Sequence, residues 1–220
     1  MAQLGKDDSA FVVRLQRLAL AGVALAAALG LWMALRGNSN DSGLKRYGRL
    51  PAFELIGSDG KPFTSERLRG KVWVASFVFT QCKNSCPILA AQLKRLARSL
   101  PEGPDFALVS FSVDPVRDTP QVLRRYAQEL GLVDARWFFV TGSVPALKRL
   151  IQDGFLLSAE PGELALDERG RPDILHSNKI VLVDRAFGIR GYYDGLLGSS
   201  VEAVRRDALR LAKETVKDRP

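Results

Sequence analysis

Sulfur and imidazole are scarce in this chain: its 220 residues include two cysteines, two methionines and one histidine. Two cysteines exclude a multi-disulfide scaffold, and a chain of this length does not need one to fold. Repeats at solenoid spacing and low-complexity tracts are absent. No stripe of Lys and Arg interleaved with aromatics occurs either. The formal net charge of +8 comes from basic residues scattered among acidic ones. That pattern argues against nucleic acid as a partner and leaves anionic lipid or an acidic protein surface. At 46% hydrophobic and 25% charged, the composition is that of a folded protein with a short apolar insert.

The insert is Leu18 to Leu35, LALAGVALAAALGLWMAL, which carries no charge. At 1.5 Å per residue such a helix is about 27 Å long, close to the hydrocarbon core of a bilayer. Trp32 falls near one end, where an indole favours the headgroups. A buried core helix and a cleaved signal peptide are the rival readings. The run is long for a signal peptide, and no small-x-small cleavage pattern follows Leu35. We read 1–17 as a cytoplasmic tail, 18–36 as a single transmembrane anchor, 37–48 as a linker and 49–220 as the soluble domain. Arg14 and Arg17 before the span are balanced by Arg36, Lys45, Arg46 and Arg49 after it. Flanking charge therefore does not orient the span. Oxidisable thiols favour a domain outside the cytoplasm.

Within the domain, apolar residues flank SDG in PAFELIGSDGKPFT, which predicts a hairpin. KVWVASFVFT is a run of β-branched and aromatic residues, the pattern of a central buried strand. CKNSCP follows it, and ILAAQLKRLARSL has helical periodicity. DFALVSFSVD predicts a second buried strand, interrupted by the polar segment DPVRDTP. Thr119 and Pro120 are placed to cap and start the next helix, and Gly131 to end it. RWFFV, KIVLVD and IRGYYDG read as further strands, the last at an edge. Helices open at Ser143 and near Ser199 or Ser200. This alternation implies an α/β layer structure with helices on both faces, and a hairpin at each end makes the sheet mixed. The segment from Gly154 to Ile174 breaks the rhythm and reads as an inserted loop near the site.

Cys82 and Cys86 stand where the buried strand gives way to a helix. Reactive groups gather at such strand ends. A helix N-terminus lowers the pKa of a thiol there, and Lys83 adds positive charge to the turn. Inert buried thiols and a structural disulfide are the plain alternatives, but Lys83, Asn84 and Ser85 make the turn awkward to bury. Redox exchange and metal binding remain. The spacing is one residue longer than C-x-x-C, which relaxes a disulfide and lets both sulfurs face one ion. His176, in the polar turn DILHSN before KIVLVD, is the only imidazole able to join them. Two thiolates and an imidazole suit Cu(I), and Cu(II) with a further weak ligand. Structural zinc wants a fourth ligand; Asp173 is close in sequence, as that ligand or as a supporting partner.

On these residues the chain resembles the SCO/SenC family. FVFTQCKNSCPIL, SFSVDPVRDTP and LHSNKIVLVDRAFGIRGYYDG follow in that family's order and rough spacing. FELIGSDGKPFTSERLRGKVWVASF resembles its opening, so the likeness runs from about Leu50 to the C-terminus. The resemblance implies a thioredoxin-like fold, with copper held by Cys82, Cys86 and His176. It implies an N-terminal anchor in a bacterial inner membrane, with the domain in the periplasm. The implied partners are a copper donor protein and the cytochrome c oxidase subunit carrying the copper A centre. Such a metallochaperone is not an enzyme in the ordinary sense. Some members resemble thiol-disulfide reductases instead, which makes Cys82 and Cys86 the catalytic pair and a Cys82–Cys86 disulfide the oxidised form. Lys83 is a departure, since many members have proline there; the turn becomes less rigid and more positive. Asp173 is separated from His176 by Ile174 and Leu175 and is left out of the ligand set.

Overall fold

The computed structural model describes residues 20, 22–28, 42–82, 85–132, 134–157 and 178–214. The chain divides into two compact units, 1–40 and 41–220. In the first, 22–28 is helical and its side chains are exposed. Among the described residues no helix is long and apolar enough to cross a membrane. Most of the expected anchor, 18–36, lies outside them.

Among its described residues the second unit has eight strands and four α-helices. The strands are β1 (Gly48–Arg49), β2 (Glu54–Gly57), β3 (Pro62–Thr64), β4 (Val72–Val78), β5 (Phe106–Ser112), β6 (Trp137–Thr141), β7 (Lys179–Val183) and β8 (Gly188–Asp194). The helices are α1 (Ser85–Ser99), α2 (Pro120–Glu129), α3 (Val144–Arg149) and α4 (Gly198–Lys213). The strands form one sheet in the order β1-β8-β7-β4-β5-β6-β2-β3. β4, β5 and β6 run parallel at its centre, and antiparallel pairs complete both sides. The mixed sheet expected from the hairpins is therefore present, in the thioredoxin-like form that the resemblance implied.

Every residue of β4 and β5 is buried. Successive side chains point to opposite faces, so each strand feeds two cores. Val74, Leu108 and Phe139 meet Leu89 and Leu93 of α1, Leu123 of α2 and Val204 of α4. On the other face Trp73, Phe77 and Phe111 meet Leu147 of α3 and Phe155. Phe155 stands edge-on to Phe77 and Phe111, with ring centroids 5.2 and 5.3 Å away. The helix signals read from sequence behave as expected. The Thr119 hydroxyl accepts from the Val122 amide at the start of α2, and Gly131 ends that helix at φ 60°, where a side chain is disfavoured. Ser143 caps α3 in the same way through the Ala146 amide.

The expected edge strand, β8, is partly covered. β1 pairs with it, Gly48 opposite Ile189 and Arg49 opposite Gly188. Two residues carry no periodic pattern, so β1 leaves no trace in the sequence. Ahead of β1, the chain is held by Arg190, whose side chain is 1% exposed. Its guanidinium donates to the Ser42 hydroxyl at 2.9 Å and the Leu44 carbonyl at 3.1 Å. It also pairs with Asp184 at 3.0 Å and with Glu214, at the end of α4, at 2.8 Å.

Candidate functional site

β4 leaves the sheet at Val78, and the turn beyond it is pinned from a neighbouring loop. Asp118 is 1% exposed. Its Oδ1 accepts from the Thr80 hydroxyl at 2.6 Å and the Thr80 amide at 3.2 Å, and its Oδ2 from the Ser112 hydroxyl at 2.7 Å. The Cys82 amide then closes a turn on the Phe79 carbonyl. Asp114 steadies Asp118 in turn: its carbonyl accepts from the Asp118 amide, and its carboxylate pairs with Arg117 at 2.6 Å. The polar break DPVRDTP is therefore a clamp on the thiol loop. Burial pushes the Asp118 carboxyl above the usual range, although the bonds from Thr80 and Ser112 favour its charge. Sequence reading missed Asp118. The available signal was an acid directly before a Thr-Pro helix start, close to the serine that ends a buried strand.

Replacing Asp118 by alanine orphans the Ser112 hydroxyl and both Thr80 donors. The expected cost is about 1–3 kcal/mol for each donor left buried and unpaired. Asp118→Asn keeps an acceptor oxygen and should lose much less. Urea midpoints of the two variants test this; equal midpoints would mean that the clamp contributes nothing.

α1 opens at Ser85, so Cys82 precedes the helix and Cys86 lies in its first turn. No disulfide joins them. Cys82 is partly exposed, and its sulfur accepts from the Cys86 amide at 3.3 Å, with the Ser85 hydroxyl 3.7 Å away. Cys86 is only 5% exposed. Burial pushes its thiol up to about 12; a hydrogen bond to Cys82 and the charges of Cys82 and Asp118 add to this, against one backbone contact from Phe79. For Cys86 the lowering expected at a helix N-terminus is thus reversed. A rise from 9.0 to about 12 is worth on the order of 4 kcal/mol, whereas a helix dipole supplies about 0.3–1 kcal/mol. Desolvation wins because α1 is packed down on the sheet.

This asymmetry has a measurable consequence for stability. Below pH 9.0 the Cys86 thiol is protonated in the folded and unfolded chain alike. As pH rises further, the unfolded thiol ionises while the folded one keeps its proton. Folding stability therefore falls by about 1.4 kcal/mol per pH unit until about pH 12. The Cys82–Cys86 disulfide form has no thiol to ionise and lacks this slope. Urea midpoints of both forms from about pH 8 to 11 check the difference; parallel curves would contradict it.

Lys83, Asn84, Asp173 and His176, and the expected inserted loop from Gly154 to Ile174 apart from its first four residues, lie outside the described residues. Among the described residues, no group of three or more His, Cys, Asp or Glu gathers as a metal site. The sheet does settle where the chain emerges after the insertion. β7 runs antiparallel to β4, with Ala75 opposite Val181. Asn178, just before β7, thus stands at the sheet end from which β4 passes to Thr80 and Cys82. Its carbonyl accepts from the Gly195 amide at 2.7 Å.

A reduced thiol pair at the start of the helix that follows the central strand of a mixed, helix-covered sheet defines a thioredoxin-like dithiol protein. The SCO1/SenC family model matches residues 44–211, and the chain belongs to that family. It is 32% identical over 161 residues to a Stutzerimonas stutzeri protein named for copper binding, a match covering 72% of this chain and 76% of the relative. A SCO1/SenC family lipoprotein from Bacillus anthracis str. Ames superimposes with a TM-score of 0.65 at 32% identity, over 75% of this chain and 95% of that one. BsSco, a Sco-family cytochrome c oxidase assembly protein with a disulfide switch, superimposes with a TM-score of 0.64 at 26% identity, over 79% and 98%.

Proposed function

We propose that this protein is a copper metallochaperone for the copper A centre of cytochrome c oxidase, and that it carries copper on Cys82, Cys86 and His176. One observation carries the reading: two sulfurs not joined in a disulfide share one helix start, at the sheet end where the chain following His176 arrives. Asn178 is two residues from His176, a reach of up to about 7 Å. Two thiolates and an imidazole are soft donors that suit copper better than a hard cation. Relatives named for copper binding and for oxidase assembly support the same reading.

In this reading Cys82 and Cys86 form a fixed base, held by α1 and by the Asp118–Thr80 clamp. His176 comes from a separate segment, so it can leave without unfolding the domain. Losing one ligand lowers affinity and opens a face to an incoming partner thiolate. Cys86 must give up a proton that burial holds, so loading releases protons and tightens as pH rises. A Cys82–Cys86 disulfide removes both thiolates and excludes copper. We place the domain in the periplasm, tethered to a bacterial inner membrane by 18–36. Its partners are a copper donor protein and the oxidase subunit bearing copper A.

Anaerobic titration tests the site. The reduced protein is expected to bind one copper per chain tightly, and the disulfide form none. His176→Ala should weaken Cu(II) far more than it changes the unfolding midpoint. Tight stoichiometric copper on the oxidised protein, or unchanged Cu(II) affinity in His176→Ala, sinks the three-ligand site.

The unequal cysteines favour a second reading, a thiol-disulfide oxidoreductase. The partly exposed Cys82 attacks a partner disulfide as a thiolate and releases one partner sulfur. The buried Cys86 then attacks the mixed disulfide. Two electrons pass to the partner, which leaves as a dithiol, and the Cys82–Cys86 disulfide remains.

A further inference from the structure

Neither reading uses the surplus of positive charge, and the fold gathers part of it at one corner of the domain. Arg185, in the turn between β7 and β8, donates to the Gly70 carbonyl at 3.2 Å and the Ala212 carbonyl at 3.1 Å, which ties the start of β4 to the end of α4. Arg69 and Lys71 lie just before β4, Arg210 lies in the last turn of α4, and Arg49 stands on β1 opposite Gly188. Lys45 follows Leu44, which Arg190 clasps. Lys45, Arg49, Arg69 and Arg210 are exposed.

The acids of this corner are matched by arginines. Glu66 pairs with Arg69, Asp105 with Arg185 at 3.4 Å, and Asp207 with Arg210 at 3.7 Å. Asp184 and Glu214 share Arg190, and Glu214 also holds Arg46. Glu102, in the loop before β5, acts on Arg136. Lys45, Arg49 and Lys71 come on top of these pairs. The Lys45 ammonium lies over the Tyr47 ring, 5.0 Å from its centroid, and Lys71 donates to the Pro104 carbonyl at 2.8 Å. Both contacts are with neutral groups, so neither cancels charge. At the dithiol end, about 20 Å away along β4, the described loops carry Asp114, Asp118 and Asp194 with Arg117 and Lys179 instead. The basic corner is also where the chain enters the domain, since Arg190 holds Ser42 beside it at 2.9 Å.

We propose that this corner is a docking surface for anionic phospholipid headgroups, which holds the domain against the bilayer with the dithiol directed away from it. The inference rests on the reading of 18–36 as a membrane anchor, in which the chain comes to Ser42 from the bilayer through 37–41. A basic side chain near an anionic bilayer strengthens attachment about fivefold. Lys45, Arg49 and Lys71 together then supply about 100-fold. An acidic protein would meet the same charges, but the bilayer is the anionic surface that the chain itself brings to this corner.

Full-length protein in nanodiscs of phosphatidylcholine, with and without phosphatidylglycerol, tests this. Acylation of lysines by a water-soluble reagent is read by mass spectrometry. In the anionic discs it is expected to slow about fivefold or more at Lys45 and Lys71. Lys61, in the turn between β2 and β3 at the other side of the sheet, should react equally in both discs. Salt at about 1 M, which screens charge beyond about 3 Å, should restore the rates. Arg49→Glu combined with Arg210→Gln should restore them too, with a urea midpoint close to the parent's because both side chains are exposed. Equal rates at Lys45 and Lys71 in both discs would overturn the proposal, as would protection that survives in the double variant. Protection by poly-glutamate in solution, with none from anionic discs, would assign the corner to an acidic protein and overturn it as well. Copurification with the neutral discs at about 1 M salt reports the anchor alone. If that fails, the anchor reading falls and this inference falls with it. If it holds while the lysines react equally in both discs, only the inference falls.

Discussion

An Arg190→Met protein is expected to lose about 3–5 kcal/mol of stability, the usual cost of removing one partner from a buried ion pair. The guanidinium is 1% exposed and serves two carboxylates, Asp184 and Glu214, which are themselves only 11% and 14% exposed. Burial works against its charge, but hydrogen bonds to Glu214 and Asp184 overcome this and hold the guanidinium above its ordinary pKa. Methionine fills much of the volume but leaves both carboxylates without their cation. The loss should lie toward the lower end of the range, because Asp184 keeps the amides of Ala186 and Gly188 and Glu214 keeps Arg46. Ser42 and Leu44 lose their anchor at the same time. Faster proteolytic cleavage near residue 42 should therefore accompany the lower urea midpoint. A change within about 1 kcal/mol, typical of a surface pair, would show that the cluster is not the clasp described here.

Replacing Cys86 by serine is expected to abolish tight copper binding while the domain stays folded. Serine is close in size, and the change removes one of only two thiols. On the copper reading Cys86 is a direct ligand, and its loss must cost more than the roughly 10–100-fold lost with a supporting contact. The same variant separates the two functional readings. Cys82 keeps its partial exposure and the first-turn amide that faces its sulfur, so it can still attack a disulfide. Without Cys86 the mixed disulfide cannot be resolved. An oxidoreductase would therefore accumulate as a covalent complex with its partner, stable until a reductant is added. A metallochaperone would simply lose its cargo. Copper affinity by chelator competition and non-reducing electrophoresis after exposure to an oxidised partner decide between them. Retention of tight copper by Cys86→Ser would remove Cys86 from the ligand set and sink the three-ligand site.

Much of the domain was legible in the sequence because its signals are local. The run VWVASFV announced a strand buried on both faces, and all seven residues of β4 are buried. Thr119 with Pro120, and Ser143 with Pro145, marked helix starts through bonds that span three residues. Asp118 and Arg190 were not legible, because their partners are distant in sequence. Asp118 meets Thr80 across 38 positions, and Arg190 meets Ser42 across 148. No periodicity reports such a meeting. β1, at two residues, is too short to carry any pattern.

The order of the strands and helices other than β1, the mixed character of the sheet and the placing of Cys82 and Cys86 at a strand-to-helix junction are all written in local sequence. Each of these follows from spacing within a few residues, where backbone geometry and side-chain period act directly. The difference between the two thiols arises from packing. Their shared motif and helix start predict similar acidity. Yet α1 packs Cys86 against the sheet, with Asp118 brought from the next loop, and leaves Cys82 partly open to water. Desolvation depends on what surrounds a group in space, and distant segments supply those surroundings.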